Sequence, residues 1–445
     1  MKQESLKLMK CPYCGSAFYL RDVYQENDGE IIDGCIVCNC NEFPILDGIL
    51  ILKVSPLNKF LIKYIKERKT KEALDLSLDH FAEPVYGACS FVRSSGICGK
   101  AIGDLLSGLV NKKVDANYKI YSDKNLSFYA LLGDGDSDVY LKNRFSAETF
   151  WSLYPFVPLL KESRERILDL SCGMGQSSFV ISTYVKPQEL FCADFTFRHL
   201  YLAKKYFAKK ATFICLDANY PLPFNDQSFS SILMMDAFHY IRGRASLARE
   251  MERLISSQGL LLLLHLHNSL IYNPAAGQPL PPIGWSTLFK NLSIKILSEK
   301  NIVEDFLQGN KLDLKKKYTN ADLNSSNALI IIGTKDKSLQ QTYHEIWSDL
   351  LGNKSGLIIN PIYGIERKLD RVILRRTFPS ESFRKEYPLT EKYLPKECII
   401  NKTLAKALNG RGSCISSTKF SELDMLHIEE LMRLFVIINV PQNYC

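Results

Sequence analysis

The sequence predicts an α/β fold built on a doubly wound, largely parallel sheet, with a small cysteine-rich ribbon in front and an additional α+β region behind. Three observations predict it. Between residues 166 and 265 short apolar runs alternate with helical patterns, as strands and crossover helices do in such a sheet. The first run, RILDLSCGMG at 166–175, passes through an acid into a glycine turn that opens a helix, the arrangement that seats a nucleotide-like ligand beyond a strand's carboxyl end. Near the N-terminus, CPYC and CIVC place Cys11, Cys14, Cys35 and Cys38 in two pairs of two-residue spacing, with twenty residues between the pairs.

Four thiolates at that spacing can close a tetrahedron around Zn²⁺ with no open position. Such a metal is structural and supplies folding energy to a segment too small to bury its own core. A disulfide framework is the alternative, but the other cysteines among the 13 are scattered singly and no secretory segment precedes them. Cys40 is expected to be a spare thiol beside the site. The tail that follows is NEFPILDGILIL, and its Phe43, Pro44, Ile45, Asp47, Gly48 and Ile49 carry a pattern. It resembles that of the small zinc-ribbon activator of archaeal and eukaryotic tRNA, rRNA and release-factor methyltransferases. Over residues 5–54 the resemblance implies a module, here spanning 1–54, that docks by adding a strand to a methyltransferase sheet, within one chain and so at high effective concentration.

SPLNKFLIKYIKERKTKEALDL, from residue 55, has apolar residues at helical spacing among many lysines and predicts one amphipathic connecting helix. Residues 55–140 are assigned to a helical linker or cap, irregular and Gly-rich from 71 onward. GDGDSD at 133–138 is expected to be a turn, because a calcium loop needs a bidentate Glu twelve positions from its start. Residues 141–161 carry aromatics at helical spacing. Tyr140, Arg144, Phe145, Trp151 and Tyr154 are candidates for a substrate rim, with plain packing as the alternative.

In the core, Ile167 and Leu168 supply an apolar strand, and Gly173 and Gly175 permit positive backbone angles and close approach to a ligand. A helix starting near Gln176 turns free N–H groups toward a polar ligand. ELFCAD at 189–194 ends in Asp194, about twenty residues past the glycines, where a carboxylate can accept from both ribose hydroxyls. That spacing suits NAD and S-adenosylmethionine (SAM) alike. Ser178 stands where the dinucleotide fingerprint has its third glycine, and pyrophosphate is the ligand that most needs the full glycine loop. The third strand, ATFICLD, ends in Asp217 and runs into ANYPLPFNDQSFSSILMMDAFHYI, and REMERLISSQGLLLLLHLHN follows.

Over residues 141–335 these elements resemble class I SAM-dependent methyltransferases in order and spacing, with Asp217, Leu222 to Phe224, and Ser228 to Asp236 matching the segment around the fourth strand. Ser230 stands where that family usually has Asp. The resemblance implies a Rossmann-like seven-stranded sheet and SAM as cofactor. It implies that Asp169, Ser171 and the backbone at Gly173 and Gly175 hold the methionine end. Asp194 and Phe195 would then serve the ribose, Asp217 and Ala218 the adenine, and Asp236 would lie near the sulfonium. A helix N-cap or a solvated loop carboxylate is the alternative for each acid taken singly. Apolar runs near 292–298 and 328–333 would make the reversed hairpin edge of that fold, with 300–327 as a polar insertion. Residues 336–445 form a further domain of unassigned role with a closing helix, SELDMLHIEELMRLFVII. Asn360-Pro361-Ile362-Tyr363 lies in it and is expected to be a turn.

Methyl transfer from a sulfonium is an in-line displacement, so positioning dominates and a base is needed only if the nucleophile carries a proton. His239, three residues past Asp236, and His265 and His267, at the end of the fifth strand, are the candidate catalytic bases. The last two, two apart in a strand, are expected to share one face. Packing or capping at the sheet edge is the alternative for each. Amine methyltransferases acting on nucleobases or glutamine often carry Asn/Asp-Pro-Pro-aromatic after the fourth strand, and this chain reads DAFH. The expected acceptor is therefore a small molecule, such as a secondary metabolite, sugar or lipid-linked intermediate. An RNA methyltransferase and a non-catalytic binding module are the alternatives. The Pro/Gly-rich loop HNSLIYNPAAGQPLPPIGW would sit at the pocket mouth and carry specificity.

A charge of +8 permits an acidic partner without demanding one. The lysine runs at 204–205, 209–210 and 315–317 are expected to be solvated faces rather than RNA contacts. Hydrophobic residues make up 46% of the 445, enough for two or three folded domains. No apolar run reaches the eighteen or so residues of a membrane span. Thirteen cysteines and a zinc site lead to the expectation of a reducing cytoplasm.

Overall fold

The computed structural model describes residues 1–79, 119–132, 136–273, 277–352, 356–369, 371–408 and 422–444. The strands are β1 Tyr19–Asn27, β2 Glu30–Val37, β3 Glu42–Leu46, β4 Ile49–Ile51, β5 Arg166–Leu170, β6 Glu189–Asp194, β7 Thr212–Cys215, β8 Phe229–Met235 and β9 Ile255–His267. They continue with β10 Ser293–Ser298, β11 Lys311–Asp313, β12 Ala328–Thr334, β13 Thr342–His344, β14 Leu357–Ile359, β15 Tyr363–Arg367, β16 Arg371–Arg376, β17 Glu397–Asn401 and β18 Ile437–Asn439. Eleven of them make one sheet in the order β1-β2-β3-β4-β7-β6-β5-β8-β9-β12-β10.

From β7 to β9 all neighbours are parallel, and their apolar runs are buried on both faces, as a sheet covered by helices on each side requires. β12 pairs antiparallel to both β9 and β10. The reversed edge therefore forms where the two apolar runs predict it. Ser230, in place of the family's Asp, lies in β8 and exchanges hydrogen bonds with the backbone of Ser163 and Arg166. Its hydroxyl both donates and accepts there, which a carboxylate cannot do.

The ribbon strands form an antiparallel meander, and β4 joins β7 in parallel, Ile49 opposite Phe213 and Ile51 opposite Cys215. Phe18, Ile36, Phe43, Ile45 and Leu50 share a buried cluster with Phe191, Ile214 and Phe224. Burial at about 25 cal/mol per Å² of apolar surface makes the ribbon and the sheet one core rather than two.

The connecting segment is two helices, Pro56–Lys66 and Thr70–Leu78, not one. Arg68 takes φ +58° between them, a left-handed turn that no helix continues through. Ser55 caps the first through the Leu57 amide, and Leu57, Leu61 and Ile65 form its buried stripe. Residues 80–118 and the Gly133–Gly135 portion of the expected acidic turn lie outside the described residues. The 300–327 stretch contains a helix, Glu299–Gly309, then β11, which pairs with β13, then a helix at Asn320–Asn324.

The C-terminal region holds a β14–β18 pair and a three-stranded β15-β16-β17 sheet. It packs against the body rather than standing apart. Trp151 stacks on Phe435 at 4.5 Å, Tyr444 meets both Phe128 and Phe145, and Asn439 donates to the Tyr184 hydroxyl at 2.7 Å. Asn360 of the NPIY turn is buried, accepts from the Ser146 hydroxyl and donates to the Phe435 carbonyl. Phe145, Trp151 and Tyr154 are consequently buried packing residues, whereas Tyr140 and Arg144 reach the carboxyl ends of the strands.

Candidate functional site

The carboxyl ends of β5, β6 and β7 open on a cavity of about 330 Å³ whose lining includes Ser171, Asp194, Phe195, Asp217 and Ala218. Asn219 and Ile241 also line it. Neither was legible in the sequence, although Asn219, two residues past a strand-end acid, is where an Asx turn forms: its amide and side chain both donate to Asp217 at 2.9 Å. Asp194 accepts from the amides of Gly173 and Thr196, each at 2.9 Å. Phe195 is half exposed, with the Lys53 ammonium 3.6 Å from its ring centre.

Asp169 is buried at the end of β5. One oxygen accepts from the hydroxyls of Ser177 and Ser178 at 2.8 and 2.6 Å, and the other is buried without a partner. Burial pushes its pKa up to about 6. Ser178, in the third-glycine position, is thus an anchor for this carboxylate.

The two glycines play parts that the sequence does not separate. Gly175 has φ +93°, and a Cβ there would meet Ala203 at 2.7 Å, so it permits close helix packing. Gly173, at φ +56°, faces open space. Their amides donate to the Cys172 carbonyl and to Asp194 respectively. Gly175 therefore sets the helix against its neighbour, while Gly173 leaves room beside the strand ends.

Asp236 follows the tip of β8 and His265 lies near the end of the adjacent β9, both in left-handed backbone, φ +55° and +52°, a costly conformation for non-glycine residues that concentrates at functional sites. One Asp236 oxygen accepts from the Tyr140 hydroxyl at 2.8 Å and from Arg144 at 3.3 Å. The other faces Nε2 of His239 at 3.8 Å and of His265 at 4.0 Å. His265 Nδ1 lies 2.8 Å from Glu299. His239 stacks on His267 at 3.8 Å between centroids.

The rings of His265 and His267 lie 5.2 Å apart between centroids, their planes at 88°, and the pairing of β9 with β12 is irregular at this end. The three histidines also differ electrostatically. Burial, then the neighbouring His267, lowers His239 to about 3. Burial, then His265, lowers His267 to about 4. Burial opposes the charge on His265 too, but Glu299 and Asp236 outweigh it and hold its pKa up at about 9. At neutral pH two rings are neutral and one is charged.

A second cavity, of about 600 Å³, lies between this strand end and the C-terminal region. His265, Glu299, Glu148, Tyr272, Lys300 and Lys385 are among its lining residues. Glu148 accepts from the Thr390 amide at 2.9 Å, and burial pushes its pKa up to about 8. The folded chain therefore holds a proton that the unfolded chain releases from about pH 4.5, so this group lowers stability progressively as pH rises from there to 8. Glu148→Gln is expected to remove that part of the pH dependence. Melting curves of both proteins between pH 4.5 and 8.5 should diverge upward for the variant, and parallel curves would refute the assignment.

At the ribbon, the structure brings together Cys11, Cys14, Cys38 and Cys40, all sulfurs within 4.8 Å of one another. Cys35 is not among them, which corrects the expected set, as does the inclusion of Cys40. Cys35 lies inside β2 opposite Pro44, fully buried, and burial pushes its thiol up to about 12. Three residues of extended strand span about 10 Å, so Cys35 and Cys38 cannot converge on one centre. Cys38 and Cys40 sit past the strand's end, their sulfurs 3.4 Å apart, with Cys11 3.6 Å from Cys40. Tetrahedral Zn²⁺ with bonds of about 2.3 Å requires sulfurs about 3.8 Å apart, and this donor set fits it.

Among the described residues no helix is long and apolar enough to cross a membrane. Residues 168–263 match the methyltransferase domain family. The chain is 30% identical over 122 residues to a demethylmenaquinone methyltransferase of Thermotoga maritima, a match covering 27% of this chain and 52% of that protein. The chain thus spans about half the length of that curated relative. Among solved structures, the YcgJ protein from Bacillus subtilis aligns at 17% identity and TM-score 0.29, over 41% of this chain and 98% of its own. A SAM-dependent methyltransferase from Mesorhizobium loti aligns at 12% identity and TM-score 0.32, over 41% and 98%. The segment that matches the methyltransferase domain is the segment that builds the strand ends around the 330 Å³ cavity.

Proposed function

We propose that the chain is a SAM-dependent methyltransferase acting on a small-molecule acceptor, with a structural zinc held by Cys11, Cys14, Cys38 and Cys40. The observation that carries this reading is the convergence of Asp194, Asp217 and Ser171 from three consecutive strand ends on one cavity, within the segment that matches the methyltransferase domain. SAM supplies an electrophilic methyl group on a sulfonium with a neutral thioether as leaving group. Asp194, still able to accept beyond its two amide bonds, binds the ribose hydroxyls. Asp217 and Ala218 flank the adenine, and Ser171 and the unpartnered oxygen of Asp169 face the amino-acid end. The histidines of β9 and the loop after β8 orient the acceptor, and neutral His239 is available to take its proton.

The 600 Å³ cavity beside His265 has the size of a small-ligand site, and the C-terminal region forms one of its walls. A concave space of this size with Glu148 and Glu299 in its wall favours a small molecule over RNA, which needs an extended basic face. The name of the Thermotoga maritima relative supports the same acceptor class. Titration calorimetry with SAM tests the reading: one site per chain with a raised melting temperature is expected. No heat and no thermal shift with SAM would overturn it.

A further inference from the structure

Among the described residues two groups of side chains have metal-ligand geometry: the four cysteines, and Asp236, His265 and His267, whose ligand atoms also lie within 4.8 Å of one another. The second group lies across the strand ends, away from the ribbon. From it we infer a binding site for a divalent first-row transition metal, held by one oxygen of Asp236 and one ring nitrogen each of His265 and His267.

The division of hydrogen bonds within the group supports this. Tyr140 and Arg144 take one oxygen of Asp236 and leave the other facing His265 Nε2. On its far side His265 is bonded through Nδ1 to Glu299 at 2.8 Å. A carboxylate on the second ring nitrogen is the arrangement that fixes tautomer and orientation in metal-bound histidines.

His267 is 2% exposed and its Nδ1 is buried with no partner. His239, fully buried, has neither ring nitrogen bonded and stacks flat on His267, holding that ring in place without being one of the three donors. Buried polar atoms without partners are uncommon, and the unbonded His267 Nδ1 within this donor set points to a missing electrophile. Asp236 and Glu299 balance Arg144 and a charged His265, so a metal entering the cluster takes the place of the His265 proton.

Two imidazoles and one carboxylate suit Mn²⁺, Fe²⁺, Co²⁺ or Zn²⁺ rather than Ca²⁺ or Mg²⁺. Metal bonds of about 2.1 Å place such donors about 3.0 to 3.4 Å apart, so small side-chain rotations close the site. Three protein ligands leave coordination positions open, and His265 lines the 600 Å³ cavity. The metal would therefore meet an acceptor through an oxygen donor, a hydroxyl or enol, placed for methylation. That last step rests on the methyltransferase reading; the metal site itself does not.

The test is Mn²⁺ uptake by the full chain, read from loss of the free-ion electron paramagnetic resonance signal without cofactor or acceptor. One Mn²⁺ per chain is expected, weakened at least tenfold in Asp236→Asn and in His267→Gln. Glu299→Gln, which touches no metal, is expected to weaken uptake ten- to a hundredfold, and melting curves check that each variant is folded. As a second measurement, cobalt loading should give, beside the thiolate spectrum of the ribbon, a ligand-field spectrum without sulfur charge transfer. No Mn²⁺ uptake, equal uptake in all variants, or a cobalt spectrum due to thiolates alone would overturn the inference. Failure here with intact SAM binding removes only the metal. Absent SAM binding with intact Mn²⁺ uptake removes the methyltransferase reading and leaves the site.

Discussion

Cys40→Ser is expected to cost the ribbon its zinc and its order, while Cys35→Ser keeps both. The ribbon holds its own meander and one parallel pairing, β4 on β7, of three register pairs. Structural zinc contributes about 10 to 16 kcal/mol of apparent binding energy in isolated zinc fingers, and here it ties down the cysteine end of the ribbon, beyond the core shared with the sheet. With Cys40 gone, three sulfurs remain, an open site that binds far more weakly. Cys35→Ser replaces a buried thiol that touches no metal, and its cost is that of one buried hydroxyl, about 1 to 3 kcal/mol. The thiolate spectrum after cobalt loading and hydrogen exchange in β4 and β7 separate the two. A thiolate spectrum kept in Cys40→Ser and lost in Cys35→Ser would restore the two-pair ligand set.

Asp194→Ala is expected to weaken SAM binding at least tenfold, about 1.4 kcal/mol, and by more if both ribose hydroxyls depend on it. Hydrogen bonds to a charged acceptor contribute about 1.5 to 3 kcal/mol each. The substitution also frees the amides of Gly173 and Thr196, so the glycine loop should loosen and the melting temperature fall somewhat. Asp194→Asn is intermediate: the two loop amides lie on different carboxylate oxygens, so its one amide oxygen keeps one loop bond, while the other and one ribose acceptor are lost. Calorimetry with SAM on the three proteins should rank them wild type, Asn, Ala in falling affinity. Equal affinities would mean that the ribose binds elsewhere.

Much of the fold was legible because it depends on local pattern. The β5 strand and its glycine turn and the acid at the end of β6 lie where period and spacing put them, and the reversed β10–β12 edge and the added ribbon strand lie where the family resemblances implied them. The helical reading of residues 55–76 erred by one break, because nothing in local periodicity announces the left-handed residue at Arg68. The ligand set at the ribbon was misread for a similar reason. Two-residue spacing brings sulfurs together only in a turn, and whether Cys35 to Cys38 is turn or strand is settled by the pairing of β2 with β3.

The sequence by itself determined the order of the strands, the acids at their carboxyl ends and the thiol-rich front, since apolar period and turn chemistry are properties of neighbours along the chain. Only the tertiary structure decided that Ser178 anchors Asp169, that Asp236 meets His265, that Glu299 charges one histidine while two stay neutral, and that the last hundred residues wall a cavity. Those outcomes depend on burial and on distances between residues tens to hundreds of positions apart, and a linear pattern carries neither.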